Sequence, residues 1–492
     1  MTMPINKGTE RMVTISSLFT DFYQLTMAYG YWQLNRHEEE AVFHLSFRKN
    51  PFQGRYTLCC GLETAIDFLN NWRFQKDDLA YLGGLKNTQN TPLFSENFLS
   101  YLENMTFSCD IDAIPEGSVV FPHTPILRIQ GPLLQCQLLE SPLLNFLNFQ
   151  TLIATKAATI CQAAGDDAVI EFGMRRAQGP DGALSASRAA YIGGCIATSN
   201  TLAGKYYDIP VRGTHAHSWV SAFPDELTAF QTYADIMPHN CVLLVDTYDT
   251  IQGVKNAITV GKKLREKGAD LLGIRLDSGD MKQLSVEARK LLDEAGFSET
   301  DILASNLLNE DIIANLKQNG AKVSVWGVGT SLVTAYNQPA LDGVYKLGAL
   351  KDEKGNWQYK LKLSERTEKT STPGRHQVRR FFCNDQYVID VVYDLDIGIS
   401  DTPEIVLQDE TLAAPRLDDY DAFVDLLQPI FRKGKRVAET ISIHDIREKA
   451  ILGVAHFNQT HQQSYPVALE KKLYILKDDL KLHYTASKTE KV

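Results

Sequence analysis

The residues able to do chemistry fall in the middle of the chain, each set placed just after an apolar run. Arg175 and Arg176 follow AVIEFGM and precede the turn AQGPDG. Arginine forks suit planar carboxylates and phosphates, and the alternative is a pair of surface charges. His215 and His217 end the run VRGTHAH. Histidines two apart share a face if the strand continues through them. No carboxylate or third histidine stands at ligand spacing nearby, so a nucleophile or general base fits better than a zinc ligand. In GIRLDSGD, Arg275 and Asp277 share a strand-end face. An arginine there holds an anion, and an aspartate beside it holds ribose hydroxyls or a hydrated Mg²⁺, against the alternative of a structural ion pair. LLVDTYDT, with Asp246 and Asp249, has the apolar-then-acidic form used to grip ribose. Ser305 and Asn306 close the next apolar run, and GVGTS brings Gly327, Gly329 and Thr330. Its backbone N–H groups and hydroxyl suit a phosphate. The chain has neither a Walker A lysine motif nor a GxGxxG fingerprint.

A β/α rhythm positions these sets. Apolar strands are predicted at 168–172, 211–214, 241–245, 271–276, 301–304 and 323–326, with helices at 250–267 and 281–295. Functional residues at every strand end favour a β/α barrel, whose sites lie on that face and whose phosphates bind after the last strands. An open doubly wound sheet is the alternative. Upstream, helices are predicted at 18–33 and 61–72 and a strand at 41–48. Ser141 and Pro142 predict a helix start running to about Gly165. After Asp342 strands are predicted at 343–363 and 377–392 around the turn-rich SERTEKTSTPGR, then helices at 422–427 and 446–452 and a polar, frayed end after Thr485.

A length of 492 residues predicts two or three domains. A net charge of −10 argues against nonspecific nucleic-acid binding, while leaving room for a small anion in a cleft. The eight cysteines include no CxxC pair and sit in apolar surroundings, which predicts reduced, buried thiols. The polar N-terminus and the lack of a long apolar stretch predict no signal peptide, no membrane span and a cytoplasmic enzyme.

Taken together, DFYQLTMAYGYW, EFGMRRAQGPDGALSASRAAYIGG, the G-T-x-A-H-S run, LLVDTYDT, GIRLDSGD and KLSERTEKTSTPGR resemble nicotinate phosphoribosyltransferases over most of the chain. The resemblance implies an irregular β/α barrel domain plus an α/β sandwich-like domain built from N-terminal and C-terminal segments. The expected division is 1–135, a catalytic barrel at 136–342, and 343–492 completing the first. It implies transfer from phosphoribosyl pyrophosphate to nicotinate, coupled to ATP through a phosphorylated histidine, with Mg²⁺, in a homodimer with shared active sites. His217 matches the phosphorylated histidine; some relatives place an apolar residue at His215. Phe172 and Tyr23 match the aromatic pair around the pyridine ring, the tyrosine coming from the neighbouring subunit in related enzymes. Arg175, Thr214 and Arg275 match positions around the nicotinate ring and carboxylate, and Asp277 one near ribose and pyrophosphate. Gly327, Gly329 and Thr330 match the 5′-phosphate loop. Ser305 and Asn306 match the preceding phosphate loop, where relatives often carry glycine and acidic residues. Nicotinamide-using relatives hold their amide with an aspartate at the position of Asn200, so the neutral side chain here implies nicotinate. A catalytically silent ligand-binding relative is the other alternative; an intact His217, Arg275 and Asp277 set argues against it. The motifs assign no metal ligands.

Overall fold

Six short parallel strands carry the strand-end residues. In the computed structural model, which describes residues 15–364, 370–409, 411–412, 420–461 and 464–489, their spatial order is Ala197–Thr198, Ala168–Glu171, Val325–Val328, Asp301–Ser305, Gly273–Leu276 and Val242–Leu244. Val211 adds a single parallel bridge to Thr198 at the outer edge. The sequence predicts a full strand there and misses Ala197–Thr198, which is too short to show a period. The helices follow from caps and spacing. Asp249 accepts from the Gln252 N–H at 2.7 Å and opens Thr250–Glu266, whose Val254, Ala257, Ile258 and Leu264 are buried along one stripe. Asp280 opens Met281–Glu294 in the same way at 3.0 Å. The two loop aspartates Asp249 and Asp280 are therefore helix caps.

The chain divides into two compact units. One comprises Leu152–Pro339 with Ile443–Ile451, and the other Met1–Thr151, Ala340–Ser442 and Leu452–Val492. The first break thus falls inside the helix Glu140–Ala164, later than the expected 135. The reason is packing. Phe146 meets Phe19 and Phe68 at ring distances of 5.7 and 5.4 Å, and Thr151 bonds both backbone groups of Cys60. The helix also starts ahead of Ser141, whose hydroxyl donates to Asp21 at 2.6 Å and is not a cap. Residues 443–451 join the barrel unit, whereas 343–492 is expected to complete the first domain: Arg447 donates to the Cys195 and Gly194 carbonyls at 3.1 and 2.9 Å.

The other unit holds a seven-stranded antiparallel sheet and a five-stranded mixed one. Arg128, on the first, donates to the His376 carbonyl on the second at 2.6 Å. The second centres on the hairpin His376–Cys383 and Gln386–Asp394, turned by Asn384 and Asp385 at φ 50° and 62°. Residues 422–427, predicted helical, instead form a strand at Ala422–Asp425. It pairs with His376–Cys383, and Asp425 meets Arg379 at 2.9 Å. AFVDLL is short and apolar enough to read either way. Of the stretch SERTEKTSTPGR, residues 365–369 lie outside the described set. The C-terminal residues form the helix Lys471–Thr489, so the expected fraying after Thr485 is not seen in the described part. All eight cysteines are free thiols, six of them buried.

Candidate active site

Parallel pairing sets which side chains share the inner face. Arg275 lies opposite Leu303, Ser305 opposite Gly327, and Gly327 opposite Ile170. Residues two apart on a strand point the same way. Phe172, Gly327, Ser305, Arg275 and Asp277 therefore crowd one rim, and Leu244, opposite Arg275, brings Asp246 to it.

Arg275 is the hub. Its Nε donates to Ser305 Oγ at 2.8 Å, Nη1 to Thr214 Oγ1 at 3.2 Å and Nη2 to Asp277 Oδ1 at 2.8 Å. Asp277 Oδ1 also accepts from the Ser305 hydroxyl. Of the five guanidinium N–H groups, three are used, leaving one on each terminal nitrogen. Two N–H groups on adjacent nitrogens match the two oxygens of a carboxylate. The Phe172 ring lies 5.5 Å from the guanidinium carbon. It is close-packed: a Cβ on Gly327 would stand 2.7 Å from the ring, so only glycine leaves the ring in place.

Asp246 is the second hub. Its buried carboxylate accepts from His217 Nε2 at 3.1 Å, the Asp277 N–H at 2.9 Å and the Ser278 hydroxyl at 2.6 Å. A carboxylate partner puts the ring proton on Nε2 and leaves the lone pair on Nδ1. His217 opens the short helix His217–Ser221, with 44% of its side chain exposed. Its imidazole is thus oriented from behind and open in front.

His215 does something else. Its Nε2 accepts from the Leu244 N–H at 3.2 Å, and its Nδ1 donates to the Ala216 carbonyl at 3.4 Å. Tyr233 packs edge-on at 4.9 Å, and burial pushes the imidazole pKa down to about 4. The neutral ring links the chain that leaves Val211 to the strand at the opposite edge of the sheet. It closes the open side of the half-barrel where backbone pairing does not.

A third network lies on the outer face. Glu171 is fully buried and accepts from the Gly173 N–H, Ser187 Oγ at 2.9 Å and Thr198 Oγ1 at 2.5 Å. Three hydrogen-bond donors converge on this carboxylate.

Two family models match the chain: the nicotinate phosphoribosyltransferase N-terminal domain over residues 18–148 and the nicotinate phosphoribosyltransferase family over residues 168–386. A nicotinate phosphoribosyltransferase of Bacillus subtilis is 41% identical, covering 96% of each chain. One from Dictyostelium discoideum is 36% identical, covering 94% of this chain and 87% of its own. The crystal structure of human nicotinic acid phosphoribosyltransferase superposes with a TM-score of 0.78 at 30% identity, over 94% of this chain and 99% of that one. The chain belongs to the nicotinate phosphoribosyltransferase family.

Against the expectations for this family, the structure brings Phe172, Thr214, Arg275, Asp277, Ser305 and Gly327 into one connected group, with His217 joined through Asp246. Arg175 and Arg176 lie on the 3₁₀ turn Met174–Arg176, just past the strand as the sequence predicts, and both are exposed. Asn200 is buried. Its Oδ1 caps the helix Thr201–Tyr207 at 3.3 Å, and its Nδ2 donates to Ser187 Oγ at 3.2 Å. Asn306 has φ 80°, a backbone that asparagine tolerates and glycine prefers. Gly329, at φ −115° and ψ −99°, precedes the short helix Thr330–Val333, and Thr330 is exposed. Tyr23 stands in the first turn of Phe22–Gln33, half exposed. Sequence reasoning misses Glu171 and the tie from Asp246 to His217. A lone carboxylate ending an apolar run was the available signal for both.

Among the described residues no group of three or more metal-binding side chains stands together. These residues form no protein-only cage; a metal carried on substrate phosphates would need one or two carboxylates beside them. Asp277 offers one: only its Oδ1 is engaged by Arg275 and Ser305.

Proposed function

We propose that this chain transfers the phosphoribosyl group of phosphoribosyl pyrophosphate to nicotinate in NAD salvage. The observation that carries the reading is Arg275, with two uncommitted N–H groups beside the Phe172 ring. The pyridine nitrogen supplies the electron pair for the new bond to the ribose anomeric carbon. The bond from that carbon to pyrophosphate breaks, and its pair leaves on pyrophosphate. No proton leaves the nucleophile, so the site needs orientation and charge, not a strong base. Arg275 orients the carboxylate and Phe172 the ring. Asp277, held by Arg275 and Ser305, faces the ribose. Mg²⁺ neutralises charge on the departing pyrophosphate when bound.

ATP coupling is part of the same proposal. His217 Nδ1 attacks the γ-phosphorus, ADP leaves, and water later cleaves the phosphohistidine to phosphate. Asp246 holds the ring and balances its positive charge. The loop of Gly327, Gly329 and Thr330 receives the 5′-phosphate, with Asn306 near it. Arg175, unpaired among the described residues, and Tyr23 complete the nicotinate slot, Tyr23 from the second subunit of a cytoplasmic homodimer. No described helix is long and apolar enough to cross a membrane.

The test is pyrophosphate release on mixing nicotinate and phosphoribosyl pyrophosphate. Arg275→Ala should raise the nicotinate KM about tenfold or more, the worth of one charge-assisted carboxylate contact, and leave the KM for ATP near wild type. Absence of nicotinate-dependent pyrophosphate release, or equal loss for both ligands with circular dichroism unchanged, would overturn the reading.

A further inference from the structure

The unit that does not contain the parallel sheet has its own cavity, of about 440 Å³. That is within the size range of small-molecule sites, roughly 300–1,000 Å³. Its floor is the stacked pair His44 and His376, ring centroids 4.0 Å apart. Both imidazoles are neutral. His44 Nε2 accepts from the His376 N–H at 3.0 Å, His376 Nε2 donates to the Pro373 carbonyl at 2.8 Å, and burial lowers both pKa values.

The polar walls are cationic. Lys346 stands opposite His44 across the sheet. Lys477 and Lys481 are one turn apart on the helix Lys471–Thr489, and Arg48 is a further cation in the lining. Asp478 is the sole carboxylate among the described lining residues. Lys477 Nζ has a neutral partner, Thr372 Oγ1 at 3.2 Å. Burial lowers its pKa and the Lys481 charge lowers it further. Lys346 is lowered by burial first, with Lys362 and Arg48 adding to this against the pull of Glu140. Like charges four apart on a helix repel, and a half-buried ammonium without a carboxylate carries a desolvation cost. An anion bound among them removes both penalties. The remaining wall is Val392, Val406, Leu407 and Leu469, with Tyr474 at the rim, a surface a flat base can cover.

We propose that this cavity is a second ligand site, separate from the catalytic rim, that binds a nucleoside phosphate: the phosphate on Lys346, Lys477 and Lys481, the base against the apolar wall. Nothing in this depends on the nicotinate reading, since the site shares no residue with it.

The test uses the full chain with ADP and with inorganic phosphate, followed by titration calorimetry and by the shift in melting temperature. Wild type should bind ADP in two classes, one at the catalytic rim that the lysine substitutions leave unchanged and one that weakens about tenfold or more in Lys477→Met/Lys481→Met, the expected loss of charge-assisted contacts. Without ligand the lysine variant should melt no lower than wild type, because it sheds a like-charge pair. Lys477→Arg should keep most of the ADP affinity. Unchanged ADP affinity in the lysine variant would overturn the site. Phosphate binding as tightly as ADP would overturn the nucleoside assignment. Pyrophosphate release in the same lysine variant reports separately on the nicotinate reading.

Discussion

Replacing Asp246 with asparagine isolates what the buried carboxylate does for His217. The side chain is anchored on two donors, the Asp277 N–H at 2.9 Å and the Ser278 hydroxyl at 2.6 Å. In Asp246→Asn the amide oxygen must stay with them, which turns the NH₂ toward His217. Two consequences follow. The bond from Nε2 loses its charge assistance. At 3.1 Å, with the histidine 44% exposed, it belongs at the low end of the charged range, about 1.5 kcal/mol or tenfold. The ring is then faced by a donor and takes the other tautomer, with the proton on Nδ1 and the nucleophilic pair facing backward. Reversing a preference of that size costs about another tenfold. Phosphohistidine formation from ATP should therefore fall about a hundredfold, or about 3 kcal/mol. Slow ATP-independent transfer from phosphoribosyl pyrophosphate to nicotinate should persist. The assay is quenched-flow phosphorylation with γ-labelled ATP and phosphorus NMR of the phosphoprotein, which distinguishes Nδ1 from Nε2. Wild-type phosphorylation rate in Asp246→Asn, or phosphate on Nε2 in the unsubstituted chain, would refute the tautomer argument.

Gly327→Ala places a Cβ 2.7 Å from the Phe172 ring and must displace it; overpacking of about 1–3 kcal/mol should raise the nicotinate KM about tenfold, and an unchanged KM would remove Phe172 from the slot. His215 has a folded pKa of about 4 against 6.5 unfolded, so only the unfolded chain takes up its proton between those values. Its contribution, about 3 kcal/mol, is complete above pH 6.5 and is lost as pH falls toward 4. Urea unfolding of His215→Gln should show one proton fewer in that window, whereas the same acid slope would place the titration at His44 and His376 instead. Mixed Tyr23→Ala and His217→Ala chains, re-sorted into dimers, should regain about a quarter of the wild-type activity, since each heterodimer has one site free of both lesions. No regain would put the tyrosine in its own subunit's site.

What the sequence discloses, and what it withholds, follows from the range of the forces involved. Strand ends and helix spans are local: short apolar runs ending in polar residues, and the helical periods at 250–267 and 281–295, can be read without knowing the fold, whereas Asp249, read as a ribose-gripping residue, caps its helix instead. The catalytic rim is legible for the same reason. Parallel strands of similar length bring their C-terminal ends together, so Phe172, Arg275, Ser305 and Gly327 meet once the β/α alternation is recognised. Three features resist this reading because they depend on distant partners. The 3₁₀ turn at Met174–Arg176 leaves both arginines exposed, which no alternation of residues could foretell. The strand Ala422–Asp425 is decided by its pairing with His376–Cys383, since AFVD has no period of its own. The two histidines are the sharpest case. Two residues apart on paper, they look interchangeable; in space one ring is buried against Tyr233 and closes the sheet at Leu244, while the other is held by Asp246 with its second nitrogen open. Burial sets that difference. Only the neutral ring can accept from a backbone N–H inside the barrel wall, and only the half-exposed one can meet a phosphate. A histidine's role here is thus a property of the strand it faces across 29 residues of chain, not of its neighbours in the motif.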